Sequence, residues 1–441
     1  MKSSCIRYSL ILLPLTLSAL TLTVLFVRTR PLPYPTIPID SSSHVQIGFI
    51  PDKLDKPVDD DSTKYLAYLP HSGFANQRTE LVNAVTLAIH LNRTLLIPPL
   101  FLGHVEGWQG EGKLWDTLAD LTDPVRRLEC SASQDHADEI CQRYDRFAML
   151  RWSWACDLPL LTERLGVQYI ERRDMSLTAL QASLGIEEDD IYKITDFHPY
   201  AWDLRGANLP LSHNPRYLSH YSMDDLRVPH KVLHLYGVFG EGRVTTNADE
   251  RDAIKEILVF RNTDVQKTAL KYVDSLGGVD QYVSIHIRTG DGVFRRTLAS
   301  RIPMAIERLH RIIGDQREPV TNDLQVDTND RLQWCREHAY LGRKYSIIFV
   351  ATDARNPRQD LAAVFNEFPC AVTLSDFSKS WLEQLKQASS VDEYKSIDRW
   401  LLTFVDAEIA QQARRYIPSP GSTFSGYIGA IHRQRQGFSY I

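Results

Sequence analysis

Residues 64–99 read KYLAYLPHSGFANQRTELVNAVTLAIHLNRTLLIPP, and their pattern decides the fold class. KYLAYLP (64–70) is a short apolar strand. HSGFANQ (71–77) is a turn of small and amide residues. Leu81, Ala84, Val85, Ala88 and Ile89 then recur at helical spacing and form one apolar stripe. Asn92 and Arg93 end that helix, and TLLIPP (94–99) is the next strand. A strand, turn, helix and strand in this order are the signature of a parallel α/β sheet.

The second half repeats the rhythm. QYVSIHIRTGD (281–291) is a strand that stops at a glycine turn with His286 and Arg288 at its end. YSIIFVATDA (345–354) is a nearly continuous apolar run ending in Thr352 and Asp353, as suits a parallel strand covered on both faces. A helix is expected over 357–365 and a strand over 370–376. A helix over 398–415 carries Leu401, Phe404, Val405 and Ile409 on one face. RYIPSPGSTFSGYIGAIHRQR (415–435) then gives a short strand, a Pro/Gly/Ser loop and a last helix. HKVLHLYGVFG (230–240) reads as a further strand on the way to a second domain. The stretch 103–225, with Trp108, Trp115, Trp152, Trp154 and Trp202, is expected to add helices and insertions around the first sheet. The polar, acidic stretch 314–331 reads as a surface insertion.

A chain of 441 residues exceeds a single core, so two domains with additions are expected. The formal net charge of -5 lacks the basic excess of a nucleic-acid binder. Residues 8–27 form an apolar run of about the length that crosses a bilayer, between Lys2 and Arg7 on one side and Arg28 and Arg30 on the other. Its length and the lack of a small-x-small site favour a retained signal anchor over a cleaved signal peptide. Residues 28–64, with Pro31, Pro33, Pro35, Pro38, Pro51 and Pro57, read as a disordered stem. Cys130, Cys141 and Cys156 lie close enough for a local disulfide. If the part after the anchor is lumenal, its five cysteines leave at least one unpaired within the chain.

In open α/β sheets ligands bind beyond the carboxyl ends of the strands. Three such ends carry chemistry here: 286–291, Thr352 with Asp353, and 419–424. Arg288 offers a fork that suits phosphate oxygens. Ser422 and Thr423 sit at a helix start, where free N–H groups attract anions. Asp353 could accept from a purine N–H edge or a ribose hydroxyl. Together they describe a nucleotide-diphosphate site. Each also has a plainer reading: an Arg288–Asp291 ion pair, a helix-turn Asp353, or a simple cap at Ser422 or Thr423. No P-loop or GxGxxG supports an ATPase or dehydrogenase, and no CxxC or His/Cys spacing suggests zinc.

HIRTGD, FVATDA and VDAEIAQQARRYIPSPGSTFSGYI resemble successive motifs of the GDP-fucose protein O-fucosyltransferase family. GFANQRTELVNAVTLAIHLNRTLLIPP resembles that family's N-terminal segment. The resemblance covers roughly 65–100 and 280–433. It implies a GT-B fold of two Rossmann-type domains with the site in their cleft. It implies GDP-fucose as donor, inversion at the anomeric carbon and no obligatory metal. Arg288 matches the arginine on the β-phosphate, and His286 the donor-contacting histidine. Gly290 and Asp291 continue that donor loop. Asp353 matches a nucleoside contact, and Ser422, Thr423 and Phe424 the phosphate and base-side loop. Phe74 and Asn76 belong to the first-domain motif, in which Asn76 faces the reacting sugar.

The chain also departs from the pattern. Gly73 stands where the family often has arginine, and Ala75 replaces the turn glycine. Arg295 and Arg296 follow the donor loop and could help neutralise phosphates. His71 and Glu80 flank the Asn76 turn as candidate bases, with surface polarity as their plainer reading. Asn92-Arg93-Thr94 is the chain's sole Asn-x-Ser/Thr sequon.

The expected organisation is a cytosolic tail (1–7), a signal-anchor helix (8–27), a stem (28–64), an acceptor-side domain (65–228) and a GDP-sugar domain (229–441). This implies a type II protein of the ER or Golgi membrane with a lumenal catalytic part. The acceptor is a protein Ser or Thr; the alternatives are a glycan acceptor or a non-catalytic GDP-sugar binder.

Overall fold

The computed structural model describes residues 62–103, 107–110, 112–132, 139–205, 216–245, 247–290, 292–313, 330, 332–337, 346–387 and 396–437. The tail, the anchor, nearly all of the stem, Asp291 and most of 314–331 lie outside them. Among the described residues no helix is long and apolar enough to cross a membrane. Residues 59–441 form one compact unit.

Among the described residues, two parallel sheets organise this unit. The first has the order Tyr169–Glu171, Thr94–Ile97, Tyr65–Tyr68, Val232–Leu235, Ile191–Ile194. Its central strand is buried on both faces. Leu66 and Tyr68 join the large core with the helix Phe74–Leu91, while Tyr65 and Ala67 face a second cluster with Leu180 and Ile186. Side chains alternate across a strand, so an apolar run covered on both sides needs no polar face.

The second sheet has the order Ala371–Val372, Ile348–Thr352, Val283–Ile287, Arg415–Ile417, all parallel. In Val283–Ile287 the alternation separates two jobs. Val283, Ile285 and Ile287 pack with Leu309, Ile348 and Val350. Ser284 and His286 point to the other face, where the Ser284 hydroxyl donates to the Ala410 carbonyl at 2.7 Å. The polar residues of this strand are thereby committed to the helices Asp398–Gln411 and Thr423–Arg435.

The two halves share an aromatic core. Phe74 meets Phe260, Phe404 and Tyr427 edge to face and Trp152 at a tilt, and Phe260 stacks on Phe404. Arg78 lies over the Tyr427 ring at 5.1 Å and donates to the Leu258 and Lys255 carbonyls at 2.6 Å each. The first helix is thus held to the last one.

Several expectations change in detail. Val232–Leu235 belongs to the first sheet, pairing with Tyr65–Tyr68, although it lies beyond the expected boundary at 228/229. The helix expected over 357–365 breaks at Leu361 into Pro357–Asp360 and Ala362–Glu367. The strand expected over 370–376 is only Ala371–Val372, because Thr373 and Asp376 form a capping box around the next turn. The helix from Asp398 stops at Gln411, and Arg415–Ile417 enters the sheet. The tryptophan-rich middle builds a small parallel sheet, Val244–Thr245, Trp202–Arg205 and Ser219–Tyr221, with Trp202 fully buried. Disulfides join Cys130 to Cys141 and Cys335 to Cys370, and Cys156 is a buried free thiol.

Candidate active site

The strand Val283–Ile287 ends by turning His286 inward and sending Arg288 into the following loop. His286 is 5% exposed. Its Nδ1 hydrogen-bonds the Ser425 hydroxyl, and its ring meets Phe424 edge-on at 5.8 Å. Burial lowers its pKa to about 4; the nearby Asp353 opposes this and Arg288 adds to it. The imidazole is therefore neutral near pH 7.

Arg288 and Asp353 face each other, with Nη1 to Oδ2 at 3.2 Å. Asp353 also accepts from the Thr289 N–H at 2.6 Å, the Thr289 hydroxyl at 3.0 Å and the Gly290 N–H at 3.0 Å. The carboxylate folds the 288–290 loop around itself, so the guanidinium is presented at the strand end. A Cβ at Gly290 would stand 2.6 Å from Asp353 Oδ2, which is why this position takes glycine. The expected Arg288–Asp291 pair falls outside the described residues, and Asp353 is the acidic partner seen.

The last helix, Thr423–Arg435, starts from a braced loop. The Ser422 hydroxyl caps it by accepting from the Ser425 N–H at 3.2 Å. The Ser425 hydroxyl accepts from the Ser419 N–H at 3.1 Å, and the Ser419 hydroxyl accepts from the Arg288 N–H at 3.3 Å. Arg308 donates to the Pro418 carbonyl at 3.3 Å, and Arg301 bonds the Pro420 carbonyl. Gly421, at φ +75°, takes the left-handed conformation the turn needs. The helix N-terminus and Arg288 are therefore fixed to one another through Ser419 and Ser425. Both favour negative charge.

The first helix begins opposite. Gly73 occupies its N-cap position, is exposed and supplies no side chain. The Thr423 hydroxyl donates to Asn76 Oδ1 at 2.7 Å, bringing two helix N-termini together. Phe74, expected at the ligand, turns instead into the aromatic core at 7% exposure. Phe424 is half-buried between His286 and Tyr427. Arg295 and Arg296 are exposed.

His71 and Glu80 are not surface polarity: they are 5% and 0% exposed. His71 Nε2 lies 3.0 Å from Glu80 Oε1, and the His71 backbone N–H donates to Glu80 Oε2 at 3.2 Å. Burial lowers the His71 pKa to about 4, with the Arg243 charge adding to it. Burial raises the Glu80 pKa, partly offset by the His71 N–H and by Arg243.

Sequence reasoning placed Ser419 in a strand-end loop without giving it a role and missed Ser425; the two serines link His286, Arg288 and the last helix. The available signal was serine three residues after the N-cap Ser422. Among the described residues no group of three or more His, Cys, Asp and Glu could hold a metal ion. What this arrangement can do is hold an anion between a guanidinium and a helix N-terminus, with a second helix N-terminus beside it.

Comparison with known proteins agrees with the motifs. O-fucosyltransferase 30 of Arabidopsis thaliana is 56% identical over 41 residues, 9% of this chain and 8% of that protein. The chain thus matches under a tenth of that relative's length. A crystal structure of POFUT1 in complex with GDP is similar at 12% identity and a TM-score of 0.40, over 84% of this chain and 95% of that one. One of POFUT1 in complex with GDP-fucose is similar at 12% identity and a TM-score of 0.38, over the same shares. The family model described as GDP-fucose protein O-fucosyltransferase matches residues 65–435, and on that match this chain belongs to the GDP-fucose protein O-fucosyltransferase family.

Proposed function

We propose that this chain transfers fucose from GDP-fucose to the hydroxyl of a protein Ser or Thr, with inversion and without a metal ion. The observation that carries the reading is the coupling of Arg288 to the start of the helix Thr423–Arg435 through Ser419 and Ser425. Breaking a glycosyl–phosphate bond leaves negative charge on the departing GDP. A preorganised guanidinium and a helix N-terminus stabilise that charge more in the transition state than in the ground state. Asp353 orients Arg288, His286 supports the last helix as a neutral ring, and Asn76 lies across from Thr423 where the sugar would sit. The two parallel sheets suit a GT-B-like arrangement with an acceptor cleft between them.

The same reading makes the chain a type II ER or Golgi membrane protein with its catalytic part in the lumen. The apolar run 8–27 supports an anchor. Two disulfides support an oxidising compartment. A second reading, a GDP-sugar binder without turnover, draws on Gly73, which leaves the first helix start without the cation common in the family.

The test is calorimetric titration of the full-length protein with GDP in the presence of a chelator, beside Arg288→Ala. Binding that falls at least about 100-fold in the variant supports the donor site. A folded wild-type chain that does not bind GDP sinks it. Turnover of GDP-fucose separates the enzyme from the binder.

A further inference from the structure

The helix Gly292–Ile313 leaves the Arg288 loop and runs beside the loop 418–422, from which the last helix starts. Two of its arginines, Arg301 and Arg308, lie two turns apart and both reach that loop. Arg308 Nη1 donates to the Pro418 carbonyl at 3.3 Å. Arg301 Nη2 donates to the Pro420 carbonyl. Pro420 lies between Ser419, which holds the Arg288 N–H, and Ser422, which caps the last helix.

Arg301 also touches the other side of the donor site. Its guanidinium carbon stands 4.6 Å from the centre of the Phe294 ring. Phe294 is in the first turn of the helix that follows Arg288, Thr289 and Gly290. The guanidinium thus sits where the Arg288 segment and the 418–422 loop come together, held by a ring and a carbonyl. Arg295 and Arg296 are closer to Arg288 along the chain, yet both are exposed.

One arm of Arg301 is left over. Its Nη1 is shut off from water and has no hydrogen-bond partner among the described residues. A buried donor without an acceptor costs free energy, and more so on a charged group. Arg308 makes the contrast: it spends Nη1 on a carbonyl, and none of its nitrogens is left buried without a partner. Bracing the loop takes a single donor. A guanidinium brings a second one in a fixed fork, the geometry that suits phosphate oxygens.

We propose that Arg301 is a second phosphate-binding arginine, whose Nη1 donates to an oxygen of the donor's diphosphate while Nη2 stays on the Pro420 carbonyl. This inference rests on the donor reading above. Departing GDP carries its new charge on the diphosphate. Arg288 meets that charge from one loop and the start of the last helix meets it from the other. Arg301 spans the two, so the anion closes a fork whose other half is already fixed. Preorganisation of this kind spares the side chain the entropy of being ordered when the ligand arrives.

The experiment measures the affinity of the full-length protein for GDP by calorimetry and for guanosine by its displacement of GDP. The variants are Arg301→Gln, Arg301→Lys and Arg311→Gln. The last removes one exposed charge from the same helix. A role in loop bracing alone would weaken both ligands alike, whereas a phosphate contact weakens only the one that carries phosphates. The expected result is a GDP affinity at least about tenfold lower in Arg301→Gln, with guanosine within about twofold of wild type. Arg301→Lys should recover part of the loss, and Arg311→Gln should stay within about twofold for both ligands. Should Arg301→Gln fail to fold, Arg301→Lys decides by the same comparison, with a GDP loss at least about threefold larger than its guanosine loss. Equal losses of GDP and guanosine overturn the phosphate contact and leave Arg301 as a brace. So does an Arg301→Gln protein that binds GDP as wild type does, or an Arg311→Gln protein that loses as much as Arg301→Gln. In each of these cases the donor reading stands. Absence of GDP binding by the folded wild type overturns the donor reading and this inference with it.

Discussion

Thr423 donates its hydroxyl proton to Asn76 Oδ1 at 2.7 Å, joining residues 347 positions apart and bringing the starts of the first and last helices together. The bond links the half that carries Gly73 and Ser72 to the half that carries Arg288.

An exposed neutral hydrogen bond contributes about 0.5–1.5 kcal/mol. Asn76→Ala and Thr423→Val are each expected to lower stability by about that much, with a coupling of at least about 0.5 kcal/mol in the double-mutant cycle. GDP affinity should change little, while GDP-fucose turnover falls in both. Denaturant unfolding and turnover of all four proteins check this; strictly additive effects would count against a direct bond.

Asp353 shapes the Arg288 loop through two backbone N–H groups and a hydroxyl. Asp353→Ala is expected to weaken GDP binding at least about tenfold by releasing Arg288, since charge-assisted hydrogen bonds of this kind are each worth about 1.5–3 kcal/mol. Gly290→Ala should do the same through the Cβ clash with Oδ2. Calorimetry with GDP on proteins of unchanged circular dichroism is the measurement, and wild-type affinity in both variants would show that the loop needs no such support.

His286 ties stability to pH. Its folded pKa is about 4, against 6.5 for the free side chain. As pH falls the unfolded chain takes up the proton first. The contribution is therefore complete above about 6.5 and is lost as pH falls toward 4, for a total on the order of 3 kcal/mol. Replacing His286 with Asn should flatten the fall in stability between pH 6.5 and 4 by that order. Unfolding curves across this range check it, and parallel curves would show that burial does not hold the ring neutral.

Phe74 packs against Trp152, Phe260, Phe404 and Tyr427. Phe74→Ala should cost about 3–5 kcal/mol of stability, as for other large buried aromatics. Phe74→Leu should restore much of the stability and most of the GDP affinity. Thermal unfolding with calorimetry separates this packing role from a ligand contact, which would instead show lost affinity at near-normal stability.

The local order of strand, turn, helix and strand over 64–99, and the strand ends at Arg288 and Asp353, were legible in the chain itself. Helical and strand periods are properties of neighbouring residues, and apolar runs bounded by glycine and proline leave few alternatives. The pairing of Cys130 with Cys141 was within reach for the same reason of short separation.

What only the tertiary structure decided are the relations between distant residues. Periodicity could not show that Phe74 turns inward while Asn76, two positions on, reaches Thr423. Nor could it show that Asp353 spends its oxygens on the 288–290 loop, or that the strand Val232–Leu235 returns to the first sheet. It left His71 and Glu80 as polar residues nine positions apart, and folding places them 3.0 Å apart in the dark behind Ser72. Burial and partnership depend on how whole elements pack, and a polar side chain is free to be surface or core until its neighbours arrive.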